Sequence, residues 1–230
     1  MASGEFRLRV RYGKVGRLRW LSHLEVVRAL ERAVRRAELP FALSQGFSPH
    51  IRIAFGPALP VGTAGENEYY DVWLTRYTGA EDALQRLGAS TPEDLAPSQA
   101  RFVGEREPSL AAATNVAVYR VAVDGKESST EQVRAALSRV VESGSLTVER
   151  KGKHKVFDLT RSLLEETRVT GRDSGCDVHL TVRIGPEGSL RPETLVSSAL
   201  VAASLDASVT HTTRTDTLIE TEGGTWARPL

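Results

Sequence analysis

The segment Phe6–Tyr12 constrains this chain more than any other stretch. Phe6, Leu8, Val10 and Tyr12 alternate strictly with Arg7, Arg9 and Arg11. Strict alternation is the period of a strand, whose successive side chains point to opposite faces. The segment therefore predicts a half-buried strand, with the apolar row packed on helices and three guanidinium groups lining the other face of the sheet. Gly13-Lys14-Val15-Gly16-Arg17 follows as a flexible, basic turn.

A helix comes next. Ser22 stands three residues before Glu25, the capping-box spacing, and Leu21 and Val26 are placed to form a hydrophobic staple. Val26, Val27, Leu30, Ala33, Val34 and Ala37 make the apolar stripe, Arg28, Arg32, Arg35 and Arg36 share another face, and Pro40 closes the element. A short strand after Pro40 leads into the loop Ser44–His50 and a second strand, Ile51–Phe55. Dense Gly and Pro then enforce irregular backbone to Gly62. Residues 68–75 read as a strand, 80–87 as a short helix and 99–103 as a closing strand. The order β-α-β-β-α-β is the split-βαβ, ferredoxin-like pattern.

Pro108 and the run Ala111-Ala112-Ala113-Thr114 break the pattern between residues 105 and 115, after which the order repeats. Residues 116–123 form a strand, Ser129 caps a helix to Glu142 with Gln132 in the capping-box position, and strands at 145–150 and 155–159 flank a turn at 151–155. Strands 165–170 and 177–184 pair as a hairpin. Pro192 opens a helix to about Leu205, residues 209–219 form the last strand, and 220–230 are a frayed tail. The expected fold is α+β: two tandem ferredoxin-like units, a basic one over 1–107 and an elaborated one over 108–230.

Composition narrows the function. No apolar run approaches the ~20 residues that span a bilayer, and the N-terminus lacks the apolar core of a signal peptide, so a cytoplasmic protein is expected. Cys176 is the only cysteine, which excludes an internal disulfide, a Cys-rich zinc site and a cysteine-held iron–sulfur cluster. There is no G-x-x-x-x-G-K-[S/T] phosphate loop and no G-x-S-x-G elbow. His23, His50, His154, His179 and His211 show no metal-ligand spacing, and neither a metal nor a cofactor is expected.

The net charge of +1 hides an asymmetry. Residues 1–55 hold eleven Lys or Arg (Arg7, Arg9, Arg11, Lys14, Arg17, Arg19, Arg28, Arg32, Arg35, Arg36 and Arg52) against four acids, Glu5, Glu25, Glu31 and Glu38: +7 here and −6 beyond. Such a split points to a polyanion-facing surface at one end, although the same charges suit a solvated strand and helix paired with acids elsewhere. In Ser44–His50, Gly46 permits unusual backbone and Pro49 holds Ser48 extended, a geometry that places Gln45, Ser48 and His50 as donors to a ligand or, alternatively, to the loop's own backbone. His23 lies in the first helical turn, where the dipole disfavours its protonation and favours a nearby anion. Lys151, Lys153, His154 and Lys155 form a second basic spot at a hairpin tip. Trp20, Tyr69, Tyr70 and Trp73 are candidates for stacking on bases, though aromatics at strand spacing mostly serve a core.

The stretches Gly16-Arg17-Leu18-Arg19-Trp20-Leu21-Ser22-His23-Leu24-Glu25 and Ser44-Gln45-Gly46-Phe47-Ser48-Pro49-His50 resemble a bacterial family of radical-SAM-linked proteins whose defining domain has no assigned function. Phe55-Gly56-Pro57-Ala58-Leu59-Pro60-Val61-Gly62 and Gly188-Ser189-Leu190-Arg191-Pro192-Glu193 are similar to the same family. The resemblance covers most of residues 5–220. It implies association with a radical-SAM protein and, through gene neighbourhood, a part in RNA processing or modification. With one cysteine, this chain leaves any cluster to a separate partner. A weaker likeness, resting on architecture, the basic helix and the histidines, is to the tandem ferredoxin-like repeat-RNA endonucleases of CRISPR systems.

Three readings follow. The first is an RNA-binding accessory that presents ribosomal or transfer RNA to a radical-SAM partner, with Arg7, Arg9, Arg11, Lys14, Arg28, Arg32, Arg35, Arg36 and Lys153 on phosphates and Gln45, Ser48 and His50 positioning the strand. The second is a metal-independent endoribonuclease with His23 or His50 as general acid or base. The third is a protein–protein adaptor for the radical-SAM enzyme without RNA contact.

Overall fold

The structure, a computed structural model, describes residues 4–125, 129–150, 152–185 and 189–230. Lys151 of the second basic spot and Gly188 of the last family stretch lie outside them. The chain divides into two compact units, Met1–Thr114 with Ala227–Leu230, and Asn115–Trp226.

The first unit runs β1 (Phe6–Lys14), a 3-10 turn (Gly16–Trp20), α1 (His23–Arg36), β2 (Ile53–Phe55), β3 (Ala64–Leu74), α2 (Ala80–Ser90), a second 3-10 turn (Glu93–Leu95), β4 (Pro97–Val103) and the single-turn α3 (Leu110–Ala113). Its strands are antiparallel in the order β4-β1-β3-β2. α1 begins where the sequence places it: the Glu25 N–H donates to Ser22 Oγ, and the Glu25 carboxylate accepts the Ser22 N–H at 2.8 Å. It ends where Glu38 takes a positive φ of 50°, just before Pro40. Val26, Leu30 and Val34 pack with Leu8, Val10 and Tyr12 of β1 and Tyr70, Val72 and Leu74 of β3. Val27, expected in that stripe, is only half-buried.

The stretch expected to separate the units is held inside the first. Ser109 caps α3 through the Ala112 N–H at 3.3 Å, Leu110 is fully buried, and the seam falls at Thr114–Asn115. Residues 227–230 also differ from the expected frayed tail. They lie with the first unit, where the Pro229 carbonyl accepts from Arg9 at 3.2 Å.

The second unit runs β5 (Val116–Asp124), α4 (Thr130–Glu142), β6 (Ser145–Arg150), β7 (Lys153–Asp158), the single-turn α5 (Leu159–Ser162), β8 (Arg168–Arg172), β9 (Gly175–Arg183), α6 (Pro192–Ala202) and β10 (Ser208–Glu220). β10-β5-β9-β8 form antiparallel pairs in that order, and β6 and β7 make a ribbon of their own. Without the ribbon and α5, this is the strand order of the first unit. α6 stops three residues short of the expected Leu205, because Ser204 takes a φ of 52° and the Leu205 N–H folds back to the Leu200 carbonyl at 3.0 Å. Val178, Leu180 and Val182 pack against Leu137, Leu195, Val196 and Ala199. The protein is α+β, built on mainly antiparallel sheet. Among the described residues, no helix is long and apolar enough to cross a membrane.

Candidate nucleic-acid interface

The β1 arginines do not form an exposed face. The parity that sends Leu8, Val10 and Tyr12 to α1 sends Arg7, Arg9 and Arg11 to the opposite side of the sheet, in register with Trp73, Asp71 and Tyr69 of β3. Asp71 is fully buried there and accepts from Nε of Arg7 and Nε of Arg9, each at 2.8 Å, with Arg9 Nη2 at 3.1 Å. Arg7 also donates to the Glu107 and Pro108 carbonyls at 2.7 and 3.0 Å. Arg9, 1% exposed, reaches the Pro229 carbonyl and the Glu107 carboxylate. Arg7 and Arg9 are thus removed from the expected phosphate-binding set: their charge balances a buried carboxylate, and their remaining donors satisfy carbonyls of the segments that cover them. Arg11 is half-buried and donates to Ser98 Oγ at 2.9 Å.

Arg28, Arg32, Arg35 and Arg36 stand on α1, across the sheet from that cluster, so the seven arginines make two separate sets. All four helix arginines are exposed. Arg35 lies over the Phe41 ring, 5.5 Å from its centroid. No ion pair engages Arg28, Arg32 or Arg36 among the described residues.

The stretches 16–25 and 55–62, far apart in sequence, meet at the start of α1. Trp20 is 60% exposed and fixed in place: Arg19 lies over its ring at 5.3 Å, and the Gly62 N–H donates to the Arg19 carbonyl at 3.0 Å. A Cβ on Gly62 would come within 2.9 Å of the indole. Of the four aromatics considered for stacking, Trp20 alone presents most of its ring. Tyr69 and Tyr70 are buried, and Trp73 is held between Arg7 and Arg52, whose guanidinium carbons lie 5.4 and 4.5 Å from its centroid.

His23 meets Phe55 edge-on at 5.4 Å and lines a cleft with Tyr12, Lys14, Glu68 and Tyr69. The space left is about 10 Å³, room for no more than one water, so no nucleobase enters it. Burial and the nearby Lys14 charge lower the His23 pKa. Lys14, expected on phosphates, is 2% exposed. Glu68, not among the expected site residues, shares with Lys14 the even parity of the core rows of β1 and β3, and that parity was the available signal. The capping box fills the start of α1: hydrogen bonds from Ser22 hold the Glu25 carboxyl below the usual carboxylate range, leaving a fixed negative charge where an anion was expected.

The Ser44–His50 loop is closed at its base by the Ser44 N–H to the His50 carbonyl at 2.8 Å and the His50 N–H to Ser44 Oγ at 3.1 Å. Gln45, Ser48 and His50 are exposed. His50 does not join His23. His23 touches Phe55, and His50 precedes Phe55 by five residues of extended chain, about 16 Å. The side chain of Lys153, at the start of β7, is outside the described residues. Among those residues no group of three or more His, Cys, Asp or Glu is placed to hold a metal ion.

These features define a two-unit α+β protein with an arginine-bearing helix and an exposed tryptophan at its entry. The chain belongs to the family described as "Uncharacterized protein conserved in bacteria (DUF2344)", whose model matches residues 7–192. That description assigns no activity and says nothing of radical-SAM chemistry. No curated protein matches the sequence. Among solved structures the chain is similar to "Crystal Structure of a Cbf5-Nop10-Gar1 Complex", with 10% identity and a TM-score of 0.52 over 91% of this chain and 48% of the other. It is also similar to "Structure of H/ACA RNP bound to a substrate RNA containing 2'-deoxyuridine", with 9% identity and a TM-score of 0.47 over 91% and 47%. The chain spans about half the length of each of these two chains. At such identity the first likeness speaks for the fold alone, and the second carries no argument.

Proposed function

We propose that this protein binds single-stranded RNA along α1, as an accessory that presents a ribosomal or transfer RNA to a partner enzyme of the radical-SAM class. In this reading both units are ferredoxin-like, which their common strand order supports. The observation that carries the proposal is the row Arg28, Arg32, Arg35 and Arg36, exposed on one helix whose entry displays Trp20. Exposed guanidinium groups in a row follow a phosphate backbone, and an exposed indole stacks on any base.

The test replaces Arg28, Arg32 and Arg36 together with alanine and follows binding of a labelled single-stranded RNA over a salt series. Each lost phosphate contact removes about 0.7 from the log–log slope, so the slope should flatten by about 2 while thermal stability holds. An unchanged slope and affinity would turn the assignment to the adaptor reading, with the arginines facing an acidic protein.

A further inference from the structure

We infer that Phe47 is a second base-stacking anchor, a wedge at the far end of the α1 arginine row that holds an unpaired RNA base. The inference rests on the RNA reading above and adds a residue and a mode of contact to it. Phe47 is 110% exposed, more open than any other large apolar side chain of the described residues. A single exposed apolar residue is ordinary on a protein surface, but this one sits at the tip of a closed loop. The two hydrogen bonds between Ser44 and His50 pin the base, and Gly46 turns the chain with a φ of 143°, a value that favours glycine. The polar closure is made low in the loop, which leaves the ring at the top with Gln45 and Ser48 beside it.

The surroundings select the occupant. From Leu39 to Gly65 the chain holds no Asp or Glu, and Arg52, just beyond the loop, is already paired with Glu5, so the cations nearest the loop that remain for a ligand are those of α1. The segment that leads into the loop, which forms isolated bridges in place of the expected short strand, carries Phe41, and Arg35 lies on the Phe41 ring. The loop therefore springs from the end of α1 where Arg35 and Arg36 stand, and Trp20 precedes the other end. α1 is 14 residues long, about 21 Å. Aromatic groups at both ends of a cationic row fit a polyanion whose units each carry a flat ring. Phe47 offers a face without polar atoms, which stacks on any base, while the Gln45 amide and the Ser48 hydroxyl reach base edges.

The experiment compares the full-length protein with Phe47→Ala, Phe47→Leu and Trp20→Ala, titrating single-stranded RNA that carries a fluorescent purine analogue. Phe47→Ala should weaken binding about tenfold, equal to ~1.4 kcal/mol. It should abolish quenching of the analogue and leave the salt slope unchanged, since no phosphate contact is lost. Phe47→Leu should fall with alanine, because it keeps the apolar volume and loses the stack. If wild type binds RNA and Phe47→Ala binds equally well, the wedge is overturned while the RNA reading stands. If Phe47→Leu retains full affinity, the tip is an apolar plug and stacking is overturned. If wild type binds no RNA at any salt, the RNA reading fails and this inference fails with it, which leaves Phe47 to a protein partner.

Discussion

Replacing Asp71 by asparagine isolates the feature that most separates structure from sequence. The substitution keeps the shape and removes one negative charge at a site with no solvent access. Two guanidinium groups remain, Arg7 at 7% and Arg9 at 1% exposure, and among the described residues the Glu107 carboxylate, 3.4 Å from Arg9 and half-exposed, is the one ion-pair partner left to offset them. The new amide also turns N–H donors toward guanidinium donors where an oxygen had accepted. Removing one partner of a buried ion pair costs about 3–5 kcal/mol, a large share of the roughly 5–15 kcal/mol that stabilises a folded domain. With a urea m-value of about 2–3 kcal/mol per M, the midpoint should fall by on the order of 1.5 M. Urea unfolding followed by far-ultraviolet circular dichroism measures it. RNA affinity and salt slope of the folded variant should match wild type, because neither arginine is placed to meet phosphate. A loss below about 1 kcal/mol would refute the account of Asp71 as the counter-charge of Arg7 and Arg9.

The His23 pKa, lowered by burial and by Lys14, has a defined pH signature. Between the folded-state pKa and the ordinary value of 6.5 the unfolded chain binds more protons, so the His23 contribution makes stability rise with pH across that window and flat above it. The His23 ring should titrate below 6.5 by NMR, and His23→Asn should flatten that part of the stability curve. A midpoint at or above 6.5 would contradict the position of the ring beside Lys14. Gly62→Ala should cost about 1–3 kcal/mol, because its φ of 88° and the indole 2.9 Å away both resist a Cβ. It should also displace Trp20, seen as a shift in tryptophan emission and a loss of RNA affinity comparable with Trp20→Ala. Unchanged emission and affinity would mean that Gly62 does not position the ring.

What the sequence shows plainly here is local. The Ser22–Glu25 and Ser129–Gln132 caps lie three residues apart, and both helices start where those pairs place them. The β1 alternation was equally legible, because it is carried by adjacent residues. The fate of its arginines was not. Asp71 is 64 and 62 residues from Arg7 and Arg9, and the carbonyls that complete their hydrogen bonding are 100 to 220 residues away. Periodicity tells which face a side chain takes and is silent on what covers that face. The same distance hid the meeting of 16–25 with 55–62, although Trp20 was a candidate for stacking within its own stretch. The boundary expected between residues 105 and 115 falls at the far end of that range, because Leu110, buried in α3, keeps Pro108 and the alanine run with the first unit.

The cationic surface is consequently narrower than the charge count implies. Of the eleven Lys and Arg residues in 1–55, Arg7, Arg9 and Lys14 are buried, Arg11 is engaged with Ser98, and Arg52 pairs with Glu5 while lying over Trp73. The rest, Arg17, Arg19, Arg28, Arg32, Arg35 and Arg36, come from the turn before α1 and from α1 itself. Six cations in one run, with an exposed indole among them, make a stripe along one helix. If the proposed RNA binding holds, such a stripe should neutralise a few phosphates of one strand, with a log–log salt slope no steeper than about −4 at 0.7 per contact, where eleven contacts would give about −8. Such a surface draws little affinity from charge alone, so stacking on rings such as Trp20 must supply the remainder. Burying the strand arginines therefore does more than stabilise the sheet. On the proposed RNA-binding reading, it would confine binding to the α1 side and leave the aromatic residues to decide how firmly a strand is held.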